Sequence, residues 1–347
     1  KKEESRSDIW VMKCDSTGNI LWETSIRGNQ VDEALWIDET TDGEYIVAGK
    51  SNSFTIDASR GQDALLLKFN SNGGIIWRHM YGGASYDEAC VVQAIDDGCI
   101  IFGGNTTSFG AGKSDFWVVN IDSHGKIIWE KTYGKSGEDQ LCSLTKTRDN
   151  GYILTGLIDP VDITEIVNEN KWIYQIIKIS SRGGIMWQKS LIYKSIMKPG
   201  AGFMSSVDET KEGNYVIAVT SELIDGNGLD CHVVKIDNTG NIIWHKAYGG
   251  SADDYVLYIK ETPDYGYILA GRTYSFDVEK ADSWILKLLP NGECNPLDYI
   301  PSIETDSLTC DPMDSKASTE KIESLFMALT VKNIVTETSC TIRQQAP

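Results

Sequence analysis

The chain has 347 residues, 32 Lys+Arg against 50 Asp+Glu, and a formal net charge of −18. That acidity argues against a nucleic-acid binder, which needs a basic footprint, and against docking on an anionic membrane surface. No apolar run approaches the ~18 residues of a membrane span, and at roughly 150 residues per domain the length suits two domains or one large all-β unit.

Lys1 to Arg6 are charged or polar, and the first residue is Lys rather than Met. The expectation is a processed or trimmed start. Removal of a secretory signal would place the protein outside the cell or at its surface. The first strand-like run, Asp8-Ile-Trp-Val-Met-Lys13, alternates in polarity. A turn follows at Asp15-Ser-Thr-Gly18, where a residue without Cβ tolerates positive φ, and then a strand bearing Trp22. The same unit returns as Asn70-Ser-Asn-Gly73 with Trp77, Asp122-Ser-His-Gly125 with Trp129, Ser180-Ser-Arg-Gly183 with Trp187 and Asp237-Asn-Thr-Gly240 with Trp244. The Trp spacings are 55, 52, 58 and 57 residues. A sixth start at Asp282-Ser-Trp-Ile-Leu-Lys287 reaches Pro290-Asn-Gly292 and loses the Trp.

Between these units lie two further strands per repeat. One is Asp32-Glu-Ala-Leu-Trp-Ile37 or Asp87-Glu-Ala-Cys-Val-Val92. The other follows a tight Asp/Gly turn, as in Tyr45-Ile-Val-Ala-Gly49 and Tyr152-Ile-Leu-Thr-Gly156. Four short strands in ~50 residues, repeated without a helical period, predict an all-β fold: a β-propeller of four-stranded blades. A β-solenoid is the alternative, with shorter coils and fewer hairpins. The repeats span 1–296, with starts near 8, 63, 115, 171, 230 and 282, and 297–347 is a tail. Six blades are expected, or five with the tail as an appendage. In the six-blade reading the ring closes through N- and C-terminal strands. The β-prone segments Leu325–Val331 and Ile334–Ile342 would form a hairpin (325–342) that closes the ring or contacts a neighbour.

The Asp-x-x-Gly-x-x-x-Trp unit resembles the tryptophan-docking motif of pyrroloquinoline-quinone-type propellers, which usually carries one more residue between Asp and Gly. The fuller pattern of Trp strand, Tyr-Gly-Gly, Asp-Glu-Ala and Asp-Gly turn is similar to secreted or cell-surface propeller-repeat proteins of archaea and bacteria. The resemblance covers residues 8 to about 294. It implies that each blade starts at the Asp-Glu-Ala strand of one repeat and ends on the Trp strand of the next. It also implies that Trp22, Trp77, Trp129, Trp187 and Trp244 wedge neighbouring blades together. Large aromatics at one repeat position read as core rather than as a sugar-stacking ladder.

No catalytic constellation stands out. His79, His124, His232 and His245 fall at different repeat positions without metal-ligand spacing. Gly110-Ala-Gly-Lys-Ser114 lacks the first Gly of a phosphate loop, and no Gly-x-Ser-x-Gly elbow occurs. Asp42, Asp96, Asp149 and Asp264 share one repeat position and read as turn caps. Asp225, Asn227 and Asp230 place oxygen ligands at loop spacing for Ca²⁺, without the Glu of a full calcium loop; no other cofactor is implied. Asn105-Thr-Thr107 is a glycosylation acceptor expected on an exposed loop. Cys90 and Cys99 flank one hairpin turn about five residues out of register, too far apart to pair. Cys14, Cys294, Cys310 and Cys340 are disulfide candidates, and Cys14–Cys340 would lock a terminal clasp. The expected function is a non-enzymatic extracellular or cell-surface module for binding or assembly. Its partner would be a protein or glycan, with self-assembly through the tail as one version. A carbohydrate-processing or quinone-type enzyme with its site at a central channel is the alternative.

Overall fold

The computed structural model describes residues 7–55, 61–95, 98–159, 172–191, 205–222, 228–275 and 281–294. Among them are 21 β-strands and no α-helix. The chain divides into two compact units. Among the described residues, one reaches Lys146 and takes in the turn Ser181–Gly184; the other comprises Thr147–Ser180 and the described residues from Ile185 to Cys294.

In the first unit β1 (Ile9–Cys14) pairs with β2 (Ile20–Ile26). Next, β3 (Asp32–Glu39), β4 (Tyr45–Ser51), β5 (Asp63–Phe69) and β6 (Ile75–Tyr81) form a four-stranded antiparallel meander. A second meander follows from β7 (Asp87–Ala94), β8 (Ile100–Thr106), β9 (Asp115–Ile121) and β10 (Ile127–Tyr133). Strand β11 (Gln140–Lys146) packs beside β7, β8 and β9. In the second unit β12 (Tyr152–Ile158), β13 (Ile173–Ile179) and β14 (Ile185–Leu191) pair in order. Strands β15 (Ser205–Glu209), β16 (Tyr215–Glu222), β17 (Leu229–Ile236) and β18 (Ile242–Tyr248) make another complete meander. A three-stranded sheet follows from β19 (Asp254–Glu261), β20 (Tyr267–Thr273) and β21 (Asp282–Leu288). The architecture is therefore all-β, built from repeated four-stranded, blade-like sheets. Each complete sheet ends on a Trp strand, so sheets straddle the starts of the sequence repeats. The segments 325–342, Pro160–Asn170 and Tyr193–Gly200 lie outside the described residues.

Strand alternation explains the packing. Middle strands are buried on both faces, and Leu66, Val118, Ile176 and Val233, all at one repeat position, are within 1% of full burial. Such strands read as continuous apolar runs because sheets cover them from both sides. The outer strands are covered on one side only.

The Trp residues join successive sheets. Trp22 Nε1 donates to Ser71 O (3.0 Å), Trp77 Nε1 to Ser123 O (3.1 Å) and Trp187 Nε1 to Asn238 O (3.0 Å). Each acceptor lies two residues before the turn glycine of the following hairpin. A Cβ on Gly73 would come within 2.6 Å of the Trp22 ring, so Gly73 is needed for space as well as for its φ of 82°. Four residues beyond the Trp, Tyr81 OH donates to Gly125 O and Tyr133 OH to Gly183 O, each at 2.6 Å. In the first repeat Ile26 holds the Tyr position, and Thr24 Oγ1 donates to Gly73 O instead (2.7 Å). The expectation that these Trp are core needs correction. All five are half-buried rather than fully buried: each sits on an outer strand and covers the next turn, and Trp22, Trp187 and Trp244 also pack against the margin of a core cluster.

Candidate functional site

The most concentrated polar chemistry in the first unit arises where two sheets meet. The second residue of the Asp-Glu-Ala strands is Glu33 on β3 and Glu88 on β7. The residue after the strand glycine is Lys50 on β4 and Asn105 on β8. Antiparallel register places Glu33 opposite Lys50 and Glu88 opposite Asn105. Both registers shift one residue further on, between Ala34 and Trp36 and between Ala89 and Val91. These bulges press the strands together. A Cβ on Gly49 would lie 2.0 Å from Glu33 O, and one on Gly104 1.8 Å from Glu88 O, so only glycine fits.

Lys50 Nζ lies 3.0 Å from Glu33 Oε2 and 3.6 Å from Glu88 Oε2. Asn105 Nδ2 donates to Glu88 Oε1 (2.6 Å), and Tyr86 OH donates to Glu88 Oε2 (2.7 Å). The Glu88 side chain is fully buried, whereas that of Glu33 is 41% exposed. Burial pushes the Glu88 carboxyl up to about 8, against the pull of Lys50 and Asn105. The cluster thus runs from a solvent-facing carboxylate, through a buried ammonium, to a carboxyl that holds a proton near neutrality. Only Glu33 is open to a ligand; the buried groups fix its position and charge.

A second recurrent feature is a pair of buried aspartates across the glycine that follows the Tyr. The position of a Gly134 Cβ would be 2.1 Å from Asp115 Oδ1 and 2.6 Å from Asp139 Oδ2. For Gly249 the corresponding atoms are Asp230 Oδ1 (1.7 Å) and Asp254 Oδ2 (3.0 Å). Burial raises Asp115 to about 6, while burial and then the Asp254 and Asp253 charges raise Asp230 to about 7. Backbone N–H groups of Ala111 and Gly112 donate to Asp115 Oδ2, and Gly250 N and Ser275 Oγ donate to Asp254 Oδ2. These are the contacts of caps that organise strand entries.

Several sequence expectations change here. Asn105 is not on an exposed loop. It lies within β8, its side chain is buried, and its amide nitrogen is committed to Glu88, so a glycan has no room there. Asp230 lies inside β17 rather than in a ligand loop, which breaks the loop spacing on which the Ca²⁺ reading rested. Asp225 and Asn227 lie outside the described residues, as do Cys310 and Cys340. Among the described residues no group of three or more His, Cys, Asp and Glu is placed to hold a metal. Cys14 is an exposed thiol at the end of β1, and Cys294 is half-buried, bridged through its backbone to Leu288. Cys99 O accepts from Ile95 N (2.9 Å), which sets the hairpin register and keeps Cys99 away from Cys90. The Gly110–Ser114 run leads into strand β9, not a helix. Asp149 is held below the usual carboxylate range; burial opposes this, and hydrogen bonds from Lys178 and Thr147 outweigh it. Asp96 is outside the described residues. His232 and His245, unremarkable by spacing, meet at 3.0 Å. The Glu33–Lys50–Glu88 cluster escaped the sequence reading. Its one signal was the recurrence of Asp-Glu-Ala with Gly-Lys or Gly-Asn about 15 residues later.

No family model matches the chain. Residues of the chain are 22% identical over 163 residues to the regulatory protein FlaEY of Caulobacter vibrioides, a match covering 41% of this chain and 17% of that protein. The chain thus spans under a fifth of the length of that relative. Among solved structures it is similar to the acylaminoacyl peptidase of Pyrococcus horikoshii, with TM-score 0.44 and 11% identity over 76% of this chain and 38% of that one. A thermostable family-43 glycoside hydrolase gives TM-score 0.37 and 11% identity over 80% and 94%. A protein of unknown function from Bacteroides caccae gives 0.32 and 12% over 66% and 88%.

Proposed function

We propose that the chain is a non-catalytic binding and assembly module that presents its outer strands to other protein chains outside the cell or at its surface. One observation carries this reading. Each of the five described Trp-bearing strands opens with a register shift that leaves one residue unpaired: Leu21, Ile76, Ile128, Met186 and Ile243. All five are large and apolar, and they are 46–58% exposed. Single exposed apolar residues are ordinary. Five at one repeat position, each beside a docking Trp on a sheet edge, make a periodic set of knobs. A partner that meets several at once gains avidity without a large single contact, and the open strand edges add backbone donors and acceptors for an extended segment. In this reading the sheets close into a six-bladed ring of the secreted propeller-repeat type. Residues 325–342 supply the two strands that β1 and β2 lack, or dock on a neighbouring copy.

Electron microscopy with sedimentation of the native protein tests the proposal, alongside the triple variant Leu21→Lys, Ile76→Lys, Ile128→Lys. Ordered arrays or oligomers that the variant loses are expected. Discrete monomers in both would overturn it. They would favour the second reading, a carbohydrate-processing enzyme, whose supporting observation is the exposed Glu33 backed by the proton-holding Glu88.

A further inference from the structure

In two of the hairpins that carry a docking Trp, the paired strands are tied by the same side-chain contact. On β1 and β2 it is Trp10 Nε1 donating to Glu23 Oε2 at 3.0 Å. On β9 and β10 it is Trp117 Nε1 donating to Glu130 Oε2 at 3.2 Å. Trp10 and Trp117 are each two residues after the strand-leading Asp, and Glu23 and Glu130 each follow the docking Trp. On β17 and β18 those positions hold His232 and His245. Here Nδ1 of His232 lies 3.0 Å from Nε2 of His245, with the rings stacked at 5.2 Å and 9°.

A Trp–Glu contact pairs a permanent donor with a carboxylate acceptor. Two imidazoles 3.0 Å apart need one ring to donate and the other to accept, so the contact survives only while the pair shares a single proton at that point. Charging both rings leaves two donors facing each other at that point and sets two cations against each other. We propose that His232 and His245 make the outer strand of this sheet acid-releasable, a property the Trp–Glu sheets lack.

The surroundings support this. His232 is buried, and its face of the sheet carries Val219, Val234 and Ile236, packed on Leu157, Ile176 and Leu191 of the neighbouring sheet. The titratable groups around it are Tyr174 and Lys178 on β13, Lys189 on β14, Tyr255 on β19 and, on the same sheet, Asp230, Glu209 and Tyr215. Tyr174 OH donates to Thr220 O, Lys178 is paired with Asp149, the Lys189 stem covers the Gly240 position, and Glu209 accepts from Arg148 N. Asp230, two residues before His232 on the same strand, is itself shielded and next to Asp254. Burial, then the opposing ring, holds His232 well below its ordinary value, and burial lowers His245 to about 4.

The sign follows from linkage. In the unfolded chain both rings charge below about 6.5, whereas in the fold they stay neutral. The contact's contribution is therefore intact above that value and is lost as pH falls from about 6.5 toward 4. Asp230 titrates in the opposite sense, so the test compares two proteins that share it.

Hydrogen exchange resolved by strand, corrected for intrinsic rates, is measured at pH 7.5 and pH 5 on the full chain and on His232→Gln/His245→Gln. That double variant copies Gln175 and Gln188 of the neighbouring sheet. The expected result is that β18 in the native chain loses at least tenfold more protection on acidification than β18 in the variant, while β10 changes alike in both. Equal losses in β18 would overturn the proposal. Imidazole titration of the native chain by NMR provides a second arm that needs no variant. Both rings should remain neutral at pH 5.5, and either one titrating near 6.5 would also overturn it.

Discussion

The sheets β7–β10 and β15–β18 have the same strand order, the same bulged Trp strand and an aspartate at the same place on the third strand (Asp115 and Asp230), yet they place different chemistry at matched positions. The first holds Glu88, Asn105 and a Trp–Glu tie. The second holds Thr220 at the position of Asn105 and a His–His tie. The scaffold fixes where a polar side chain points, and the residue chosen decides how that sheet answers to pH. A repeat architecture can therefore give neighbouring blades different stabilities without altering the backbone.

The largest way to break this comparison is Lys50→Met. Measured at pH 9, where Glu88 has lost its proton, it would leave a buried carboxylate without its cation, and we expect a loss of about 3–5 kcal/mol, read by denaturant unfolding. Restoring neutrality with Glu88→Gln in the same chain should recover more than half of that loss. If the two changes simply add, the cluster is not a coupled unit. Next in size is Trp129→Ala. A fully buried Trp would cost about 3–5 kcal/mol; the half-buried docking seen here predicts about 2 kcal/mol, with β10 and the turn at Gly183 losing hydrogen-exchange protection first.

The two units should also differ in the direction of their pH response. Glu88 is raised in the fold, so its neutral form contributes fully below about 4.5. That contribution is lost as pH rises toward 8. Strand-resolved exchange between pH 5 and 8 should show β7 and β8 weakening as pH rises, and Glu88→Gln should flatten that slope. An unchanged slope in the variant would assign the effect elsewhere. The smallest effect is that of Tyr133→Phe. It removes one hydrogen bond to Gly183 O and should cost about 1 kcal/mol, whereas Phe at position 26, which has no such bond to lose, should cost nothing of this kind. A shared loss at both sites would show that ring packing, not the hydroxyl, sets the value.

Much of the scaffold was legible in the residues. Gly18, Gly73, Gly125, Gly183 and Gly240 announced the hairpin turns because positive φ is cheap only there, and all five adopt it. The Asp42, Asp149 and Asp264 turns were readable from local hydrogen bonding, and the structure shows each accepting from the Thr two residues before it. These features depend on contacts within a few residues, which a linear pattern contains. Asn105 was misread because an Asn-x-Thr triplet says nothing about which face of a strand it occupies. The Glu88 cluster was missed because its partners come from β4, β7 and β8, and a carboxylate looks solvated until a second sheet covers it. The two histidines were dismissed because a separation of 13 residues has no meaning until a hairpin register sets them diagonally across two strands.

By itself the sequence determined the repeat, the turns, the strand count per repeat and the Trp that docks on each glycine. All of these follow from short-range sterics and a hydrophobic period. Only the tertiary structure decided which ionisable side chains are buried, how far the Trp are covered and which histidines touch. Those outcomes depend on desolvation and on register between strands distant in sequence, and both exist only once one sheet has packed on the next.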